Sequence, residues 1–440
     1  MQNRKFLSLI LICVLLLSIP TAALASAAPP PHMAQSVIIA DLHTGDILYA
    51  EHEHAVLHPA SLTKIMTVLL VIEALDRGDI SISDRLVTEE SDLWDIIPSG
   101  SSFELEVGEE MTLEALLYAT MLSSANDASN VLARHVAGSI PDFVALMNER
   151  ARELGATQTN FENPHGLTQT GHYSTAYDIF RITFAALQNP RFVEISNEVE
   201  RFHSASNLRP AGVISTTNHM INPESPFFRA DVSGVKTGFT SAAGFTFAST
   251  ATRDEISLLS VIMGVQSVGE ENHFSEAALL YDWAFASFAY QTVLTDTQPL
   301  ATMPVLLGEE GDTVALYAAI SIEALLPLGF DQSQLREERI LFHEEAGEEL
   351  TAPIQADEVL GTVSLYYGER LLGTSPLVAA EGISLSRVAH NLAEVDETLS
   401  SPWVRIAIAI FVVLLLFYVI FAISRTVKKR RRRRERLGRK

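Results

Sequence analysis

The chain has almost no cysteine. Its 440 residues include a single one, Cys13. This residue lies in a leader in which Arg4 and Lys5 precede the apolar run 6–19, a pattern typical of a secretory signal peptide. We expect residues 1–27 to be removed on export. The exported remainder then has no disulfide, no thiol nucleophile and no cysteine metal ligand, so packing alone has to stabilise it.

Positive charge is also scarce. Between Ala28 and Pro402 the sequence has 53 acidic residues and 17 basic residues, a difference of −36. A segment this acidic repels nucleic acid and anionic lipid. We therefore exclude a nucleic-acid partner for the exported part of the chain.

Apolar runs long enough to cross a membrane are rare, and one lies near the C-terminus. The 20 residues 404–423 carry one charge, Arg405, and the basic run 428–434 follows them. Length and flanking charge predict one membrane span with its C-terminal side in the cytoplasm. We interpret the basic tail as an anchor to anionic lipid and a topology signal, because it follows the span directly.

Lysine is the rarest cation of the exported segment. Of the 17 basic residues between Ala28 and Pro402, 15 are arginine and only Lys64 and Lys236 are lysine. Arginine cannot lose its proton in a protein, whereas a lysine amine can. The sequence therefore indicates that Lys64 performs chemistry that arginine cannot.

The segment around Lys64 predicts a buried helix. Apolar residues continue from Ile65 to Leu75, and Gly78 marks the end of the helix. Ser61 and Lys64 are three apart in its first turn, where such residues share a face. A serine hydroxyl attacks well only when a neighbouring base takes its proton, and lysine can be that base when burial keeps it neutral. Ser61 and Lys64 are thus a candidate nucleophile and base.

Two further motifs follow in a fixed order. Ser124-Ala125-Asn126 comes 63 residues after Ser61, and Lys236-Thr237-Gly238 comes 112 residues after Ser124. Ser-x-x-Lys, Ser-x-Asn and Lys-Thr-Gly in this order are typical of penicillin-binding proteins and related β-lactamases. At these residues the chain resembles a serine-type D-alanyl-D-alanine carboxypeptidase of the peptidase S11 type, a low-molecular-mass penicillin-binding protein. The resemblance runs from about residue 35 to residue 290.

The resemblance implies a role for each motif residue. Ser61 would attack the carbonyl between two terminal D-alanines, with Lys64 as general base. Ser124 would relay a proton to the leaving amine. We expect His165 not to be the base, since Lys64 already fills that role.

The remaining motif residues would bind the substrate. By the resemblance, Asn126 would hold the substrate amide, and Lys236 with Thr237 would bind its terminal carboxylate. Gly238 would let the substrate approach the strand edge closely. The backbone N–H of Ser61 and a strand N–H just after Gly238 would form the oxyanion hole.

Two positions depart from the family pattern. The resemblance leads us to expect an arginine where Ser257 stands, and Arg253 or Thr237 is then the candidate to replace it at the substrate carboxylate. Phe239 stands where the family often has histidine after Lys-Thr-Gly. Both departures bear on substrate specificity.

The fold class that we predict is an α/β sandwich of the β-lactamase and transpeptidase type, an antiparallel sheet covered by helices, followed by a small C-terminal β-sandwich domain and one C-terminal transmembrane helix. The predicted parts are a signal peptide at 1–27, a serine D,D-peptidase domain at 35–290, a β-rich domain at 291–380, a stalk at 381–403, a transmembrane helix at 404–423 and a basic cytoplasmic tail at 424–440.

The sequence therefore predicts a single-pass protein of the cell membrane whose extracytoplasmic enzyme domain trims peptidoglycan stem peptides ending in D-Ala-D-Ala. We expect β-lactam antibiotics as covalent inhibitors, and neither a metal nor a cofactor. One alternative is a β-lactamase, which would need a glutamate to activate the deacylating water; Glu162 is the candidate in this chain, although its surroundings are atypical. The other is a non-catalytic penicillin-binding sensor or scaffold of the cell wall.

Overall fold

The computed structural model describes residues 28–97, 100–266, 272–309 and 313–437. The predicted signal peptide, 1–27, lies outside the described residues. The chain divides into two compact units, one that runs as far as Tyr290 and includes Leu325–Phe330, and one made of Gln291–Ala324 and the chain from Asp331 onward. The predicted site residues all belong to the first unit.

The first unit is built on one antiparallel sheet of five strands. These are β1 (Ser36–Asp41), β2 (Ile47–Glu51), β7 (Val232–Thr240), β8 (Gly244–Arg253) and β9 (Ile256–Val265). Their order across the sheet is β2-β1-β9-β8-β7, so β7 is an edge strand. Two short hairpins lie outside this sheet, β3 (Arg85–Val87) with β4 (Glu110–Thr112) and β5 (Glu200–His203) with β6 (Gly212–Ser215).

Both faces of the sheet are covered, and β1 shows how its sequence achieves this. Ile38 and Ala40 pack in one apolar cluster, whereas Val37 and Ile39 pack in a second. Successive side chains of a strand point to opposite faces, so a strand buried on both sides is apolar throughout. The expected sheet covered by helices is therefore present.

Seven helices of the described residues belong to this unit. They are α1 (Thr63–Arg77), α2 (Leu113–Met121), α3 (Asn126–Ala137), α4 (Ile140–Glu153), α5 (Ala176–Leu187), α6 (Pro190–Asn197) and α7 (His273–Ser287). Residues of α1 to α6 contribute to one cluster, and α7 contributes to the other. Helix α1 is the predicted buried helix and ends at Gly78, whose φ of 76° suits the left-handed position that glycine favours.

The second unit is rich in strands. Its strands are β10 (Phe288–Leu294), β11 (Pro299–Pro304), β12 (Thr313–Ala318), β13 (Ile322–Pro327), β14 (Leu335–Leu341), β15 (Val359–Tyr367) and β16 (Arg370–Ala379), of which β10 and β13 begin or end in the first unit. Five of them form an antiparallel sheet in the order β11-β12-β16-β15-β14, and β10 pairs with β13. The β-sandwich stays a prediction.

The chain continues from this sheet into helices. The short α8 (Phe342–Glu345) lies between two strands, and α9 (Arg387–Ser400) and α10 (Pro402–Leu437) follow the last one. Within α10, the 29 residues Pro402–Arg430 are long and apolar enough to cross a membrane. This helix contains the predicted span and continues through the basic residues beyond it.

Candidate active site

Ser61 lies at the entrance to helix α1. It is the middle residue of a 3₁₀ turn, Ala60–Leu62, which leads directly into the helix. Gly166 packs so closely against this turn that a Cβ on it would overlap the Ala60 carbonyl oxygen. The turn is therefore fixed both by the buried helix and by the loop that carries Gly166.

Lys64 is fully buried and touches three oxygen atoms. Its Nζ lies 3.1 Å from Ser61 Oγ, 2.7 Å from Asn126 Oδ1 and 2.6 Å from the carbonyl oxygen of His165. A neutral amine has two N–H donors and one lone pair. The two carbonyl-type oxygens accept the two N–H groups, which leaves the lone pair for the Ser61 hydroxyl.

Electrostatics favour this neutral form. Burial lowers the pKa of Lys64 well below its usual range, and the charge of Lys236 lowers it further, while Asp127 acts in the opposite direction. An amine in this environment is more easily held in its neutral form, which can accept a proton. The geometry thus suits a nucleophile and its base.

Ser124 lies in the predicted break between two helices. It falls between α2 and α3, is almost completely buried and has a φ of 61°. Such a left-handed conformation is uncommon for serine and occurs at functional sites held by their surroundings. Asn126 starts α3, and its backbone N–H donates to the carbonyl of Ser101 at 3.0 Å.

Asp127 belongs to the site, although the sequence analysis missed it. Its carboxylate is buried and accepts hydrogen bonds from Ser102 Oγ at 2.6 Å, Phe103 N at 2.8 Å and Leu105 N at 3.0 Å. It ties the loop before β4 to the start of α3. An acidic residue directly after Ser-x-Asn, in the first turn of a helix, was the available signal.

Lys236, Thr237 and Gly238 lie on the edge strand β7. Lys236 is buried, its Nζ donates to the Thr237 carbonyl at 3.1 Å, and burial lowers its pKa to about 7. The Thr237 hydroxyl lies 2.6 Å from that of Thr217. A Cβ on Gly238 would lie 2.8 Å from the backbone nitrogen of Ser61. Only glycine allows the strand to pass this close to Ser61.

His165 contributes its backbone and not its ring. Its carbonyl oxygen binds Lys64, whereas its buried Nε2 lies 3.0 Å from Asp95 Oδ2. Burial lowers the pKa of this imidazole. The ring is thus directed to Asp95, which agrees with the expectation that His165 is not the base.

A cleft of about 480 Å³ joins these elements. Five of the predicted site residues line it, namely Ser61, Ser124, Asn126, Thr237 and Gly238. The two lysines lie behind its wall, buried among the same elements. The three motifs, far apart in the sequence, therefore meet in one site.

The two candidates for the role of the expected arginine lie in different places, since Thr237 lines the cleft and Arg253 does not. Ser257 lies at the turn end of β9, where its hydroxyl is 2.9 Å from that of Thr252, and it does not line the cleft. Arg253 does not compensate either, because its guanidinium pairs with Asp231 and Asp282. The β8–β9 register places this turn at the end of the strands opposite Phe245, which does line the cleft.

Glu162 is also outside the cleft. It is exposed, and its Oε1 accepts a hydrogen bond from Asn160 Nδ2 at 2.8 Å. It is not among the residues that line the cleft around Ser61. The position of this side chain does not support the β-lactamase alternative.

Comparison with known sequences agrees with the site. The profile of the D-alanyl-D-alanine carboxypeptidase family matches residues 23–267. D-alanyl-D-alanine carboxypeptidase DacF of Bacillus subtilis is 32% identical over 383 residues, which are 86% of this chain and 94% of the relative. D-alanyl-D-alanine carboxypeptidase DacD of Escherichia coli is 30% identical over 373 residues, 83% of this chain and 91% of the relative.

Solved structures resemble the fold. Penicillin-binding protein 5 of Haemophilus influenzae has a TM-score of 0.62 at 28% identity and covers 81% of this chain and 99% of its own. Penicillin-binding protein 6B of Escherichia coli has a TM-score of 0.60 at 26% identity, covering 82% and 98%. Fold and site thus define a serine hydrolase of the penicillin-binding protein class.

The chain belongs to the D-alanyl-D-alanine carboxypeptidase family, peptidase S11. It is a penicillin-binding, serine-type carboxypeptidase that acts on peptidoglycan stem peptides through an acyl-enzyme. Its long apolar C-terminal helix suggests a membrane anchor.

Proposed function

We propose that Ser61 is the nucleophile and Lys64 the general base of this carboxypeptidase. The contact between Lys64 Nζ and Ser61 Oγ carries the proposal, together with the two oxygen atoms that occupy both N–H groups of a neutral amine. Ser61 Oγ–H donates to the lone pair of Nζ in this arrangement. As Oγ attacks the carbonyl carbon between the two terminal D-alanines, its proton passes to Nζ.

Collapse of the tetrahedral intermediate breaks the bond to the terminal D-alanine. The leaving nitrogen takes a proton, which Ser124 relays from Lys64, so that the amine departs neutral and Lys64 is again unprotonated. Water then attacks the Ser61 ester and gives its proton to Lys64 by the same geometry. The shortened peptide leaves with a new carboxylate, and the Ser61 hydroxyl is restored.

The oxyanion would be held by two backbone N–H groups. Ser61 N lies at the start of the helix, and the second donor would be the N–H of Phe239, the residue after Gly238, whose backbone passes close to Ser61 N. Both donors are fixed by the 3₁₀ turn and the sheet before substrate arrives. This rigidity is what makes such donors effective.

The two buried lysines would divide their tasks. Their charges repel, and the pKa of Lys64 is lowered by burial and by Lys236 together. We place the one positive charge of this pair on Lys236. With Thr237, the charged Lys236 would bind the terminal carboxylate of the substrate. Asn126 has its Oδ1 on Lys64 and so presents its amide nitrogen to the substrate carbonyl.

We also propose how the chain is arranged at the membrane. Helix α10 would cross once, with the basic tail on the cytoplasmic side, as the excess of Lys and Arg after residue 423 favours. The catalytic domain, residues 35–290, would lie outside the membrane, and residues 291–380 would form a β-sandwich that acts as a spacer. The acidic composition of the exported part supports this arrangement, because it disfavours adhesion to anionic lipid.

Mass spectrometry of the intact protein tests the chemical roles. Ser61→Ala should abolish the penicilloyl adduct, because only the attacking oxygen is removed. Lys64→Arg should nearly abolish it, since a guanidinium cannot accept the proton. Ser101→Ala is the matched control, because Ser101 lines the same cleft and has no proposed role. An adduct that persists on the Ser61→Ala protein would place the nucleophile elsewhere.

A further inference from the structure

Two more cavities lie beside the active-site cleft, and neighbouring cavities share wall residues. The first has about 370 Å³ and shares Leu167 and Thr240 with the cleft as wall residues. The second has about 720 Å³ and shares Asp95 and Gln169 with the first. We call the first the middle cavity and the second the Trp94 cavity, because Trp94 lines the second. The order is thus the cleft, the middle cavity and the Trp94 cavity.

The proposed direction of the substrate leads into this row. Strand β7 runs from Val232 to Thr240 and is an edge strand, with no further strand beside it among the described residues. The proposed function puts the terminal carboxylate at Lys236 and Thr237 and the scissile carbonyl, which precedes it in the peptide, at the N–H of Phe239. An extended peptide in this position runs antiparallel to β7, so its N-terminal side leaves past Thr240. This step rests on the proposed function. The part of the substrate that precedes D-Ala-D-Ala then enters the middle cavity.

The wall between the two extra cavities is well fixed. Asp95 Oδ2 lies 3.0 Å from His165 Nε2, and Asp95 Oδ1 accepts from Asn130 Nδ2 at 2.9 Å. His165 in turn binds the catalytic lysine through its carbonyl oxygen. The entrance to the Trp94 cavity is therefore built on the same framework as the active site.

Trp94 is the unusual feature of the far cavity. Trp94 is 81% exposed, whereas large aromatic residues are usually buried to a much greater extent. An exposed ring of this size can mark a binding site. Hydrogen-bonding side chains line the same cavity, namely Glu89, Ser91, Arg134, Ser139, Glu162 and Gln169. A flat apolar ring within a rim of donors and acceptors fits a ligand that has both an apolar face and many hydroxyl groups.

A sugar ring has this combination, since its C–H bonds form flat faces and its hydroxyls lie at the edge. Carboxylates of Glu89 and Glu162 can accept hydrogen bonds from hydroxyls. Glu89 is paired with Arg134 at 3.0 Å, but together with Asp95 the carboxylates that line the cavity outnumber this one cation, so an anion is disfavoured. In peptidoglycan, the stem peptide is covalently attached to such a sugar on its N-terminal side. Because the sugar is linked to the peptide, its effective concentration at the cavity is high once the peptide is bound, and even a weak sugar contact then adds to the affinity.

We propose that the Trp94 cavity binds the neutral saccharide attached to the stem peptide, with the ring of Trp94 stacked on the sugar. The middle cavity then holds the peptide that connects this sugar to D-Ala-D-Ala. The carboxypeptidase thus prefers stems that are still joined to glycan over free peptides.

Two substrates of the same peptide sequence test this on the full-length protein in detergent. One is a free pentapeptide ending in D-Ala-D-Ala, and the other is that pentapeptide linked to its disaccharide. Trp94→Ala should raise KM for the sugar-linked peptide by about three- to tenfold, the range of one aromatic stacking contact. It should leave kcat, and both constants on the free peptide, unchanged.

Two further variants are the controls. Trp94→Phe should recover most of the lost binding, because it restores a flat ring. Phe202→Ala removes a ring that is 68% exposed on β5 and lines none of the three cavities, and it should have no effect on either substrate.

An equal loss on both peptides, or no loss on either, would overturn the saccharide site. Failure of the proposed function looks different. In that case the wild-type protein would release no D-alanine even from the free pentapeptide, whose cleavage does not involve Trp94.

Discussion

At the scale of single residues, the segment between Ala28 and Pro402 has lysine at only two positions, and both lie in the proposed active site. Lys64 and Lys236 are both almost completely buried, whereas arginines such as Arg134 and Arg229 form partly exposed ion pairs. Arginine at either position would bring a permanent charge and a planar group into a packed site. Burial of the two amines lowers the stability of the folded protein, and the proposed reaction needs both amines in the site.

Lys236→Met measures that cost. The folded protein lowers the pKa of Lys236 to about 7, below its value in the unfolded chain. Below pH 7 the amine is protonated in both states and the folded state is penalised in full, whereas above about pH 10 it is neutral in both and the penalty vanishes. The variant should thus gain about 2–4 kcal/mol in free energy of unfolding at pH 6 and lose most of that gain by pH 9.5. Urea unfolding at both pH values is the measurement.

Arg77→Met is the control, because Arg77 is exposed and paired only at the surface. It should change stability by less than about 1 kcal/mol at either pH. A Lys236→Met protein less stable than wild type at pH 6 would contradict burial of a destabilising amine.

At the scale of elements, the site depends on backbone segments that approach one another without side chains between them. Gly238 brings β7 against Ser61, and Gly166 brings the 163–169 loop against the Ala60 carbonyl. The same loop supplies the His165 carbonyl that binds Lys64. A helix start, an edge strand and a loop are thus fixed to one another around Ser61.

Gly166→Ala should therefore damage both stability and acylation. Gly166 has a φ of 89°, and its added Cβ would overlap Ala60, so the turn that carries Ser61 has to move. We expect a loss of more than about 3 kcal/mol in free energy of unfolding, from strain and overpacking together, and slower labelling by a fluorescent penicillin.

Gly78→Ala separates strain from overlap. Gly78 has a similar φ of 76°, but nothing lies within 4 Å of an added Cβ. This variant should lose only about 1–2 kcal/mol and label at the wild-type rate. If the two variants were equally stable and equally active, close packing at Gly166 would have no role.

At the scale of the whole molecule, the proposed catalytic residues and the apolar helix belong to separate parts of the chain. All the proposed site residues precede Tyr290 and belong to the first unit, whereas α10 starts at Pro402 and belongs to the second. Chemistry and anchoring therefore depend on different segments.

Ending the chain after Ser400 should leave an active enzyme that needs no detergent. The cut falls between α9 and α10 and removes the apolar helix, but no residue of the cleft. We expect kcat/KM on a short peptide ending in D-Ala-D-Ala to stay within about twofold of the full-length value, since the first unit has its own core. D-alanine release by both proteins in one assay is the measurement. A soluble, folded truncation that releases none would show that the anchor is needed for catalysis.

The sequence by itself determined the elements and the chemistry available to the site. Helix α1 followed from the apolar run 65–75 with Gly78 just beyond it, and the break at Ser124 followed from two helical patterns on either side of it. These features are local, since periodicity and turn residues act over a few positions. The scarcity of lysine and the order of the three motifs indicated the reaction because the reaction needs those side chains.

Only the tertiary structure decided which groups meet. The His165 carbonyl oxygen accepts a hydrogen bond from Lys64, and the Asp127 carboxylate accepts one from the backbone N–H of Phe103. These contacts, like the adjoining cavities that end at Trp94, bring together residues that are distant in sequence. Of the two candidates for the role of the expected arginine, Thr237 lines the cleft and Arg253 does not, because strand register, which local sequence does not specify, sets the end of the sheet at which a residue lies. The pKa of Lys64 likewise depends on burial and on the charge of Lys236, and both arise only when the packed chain excludes water.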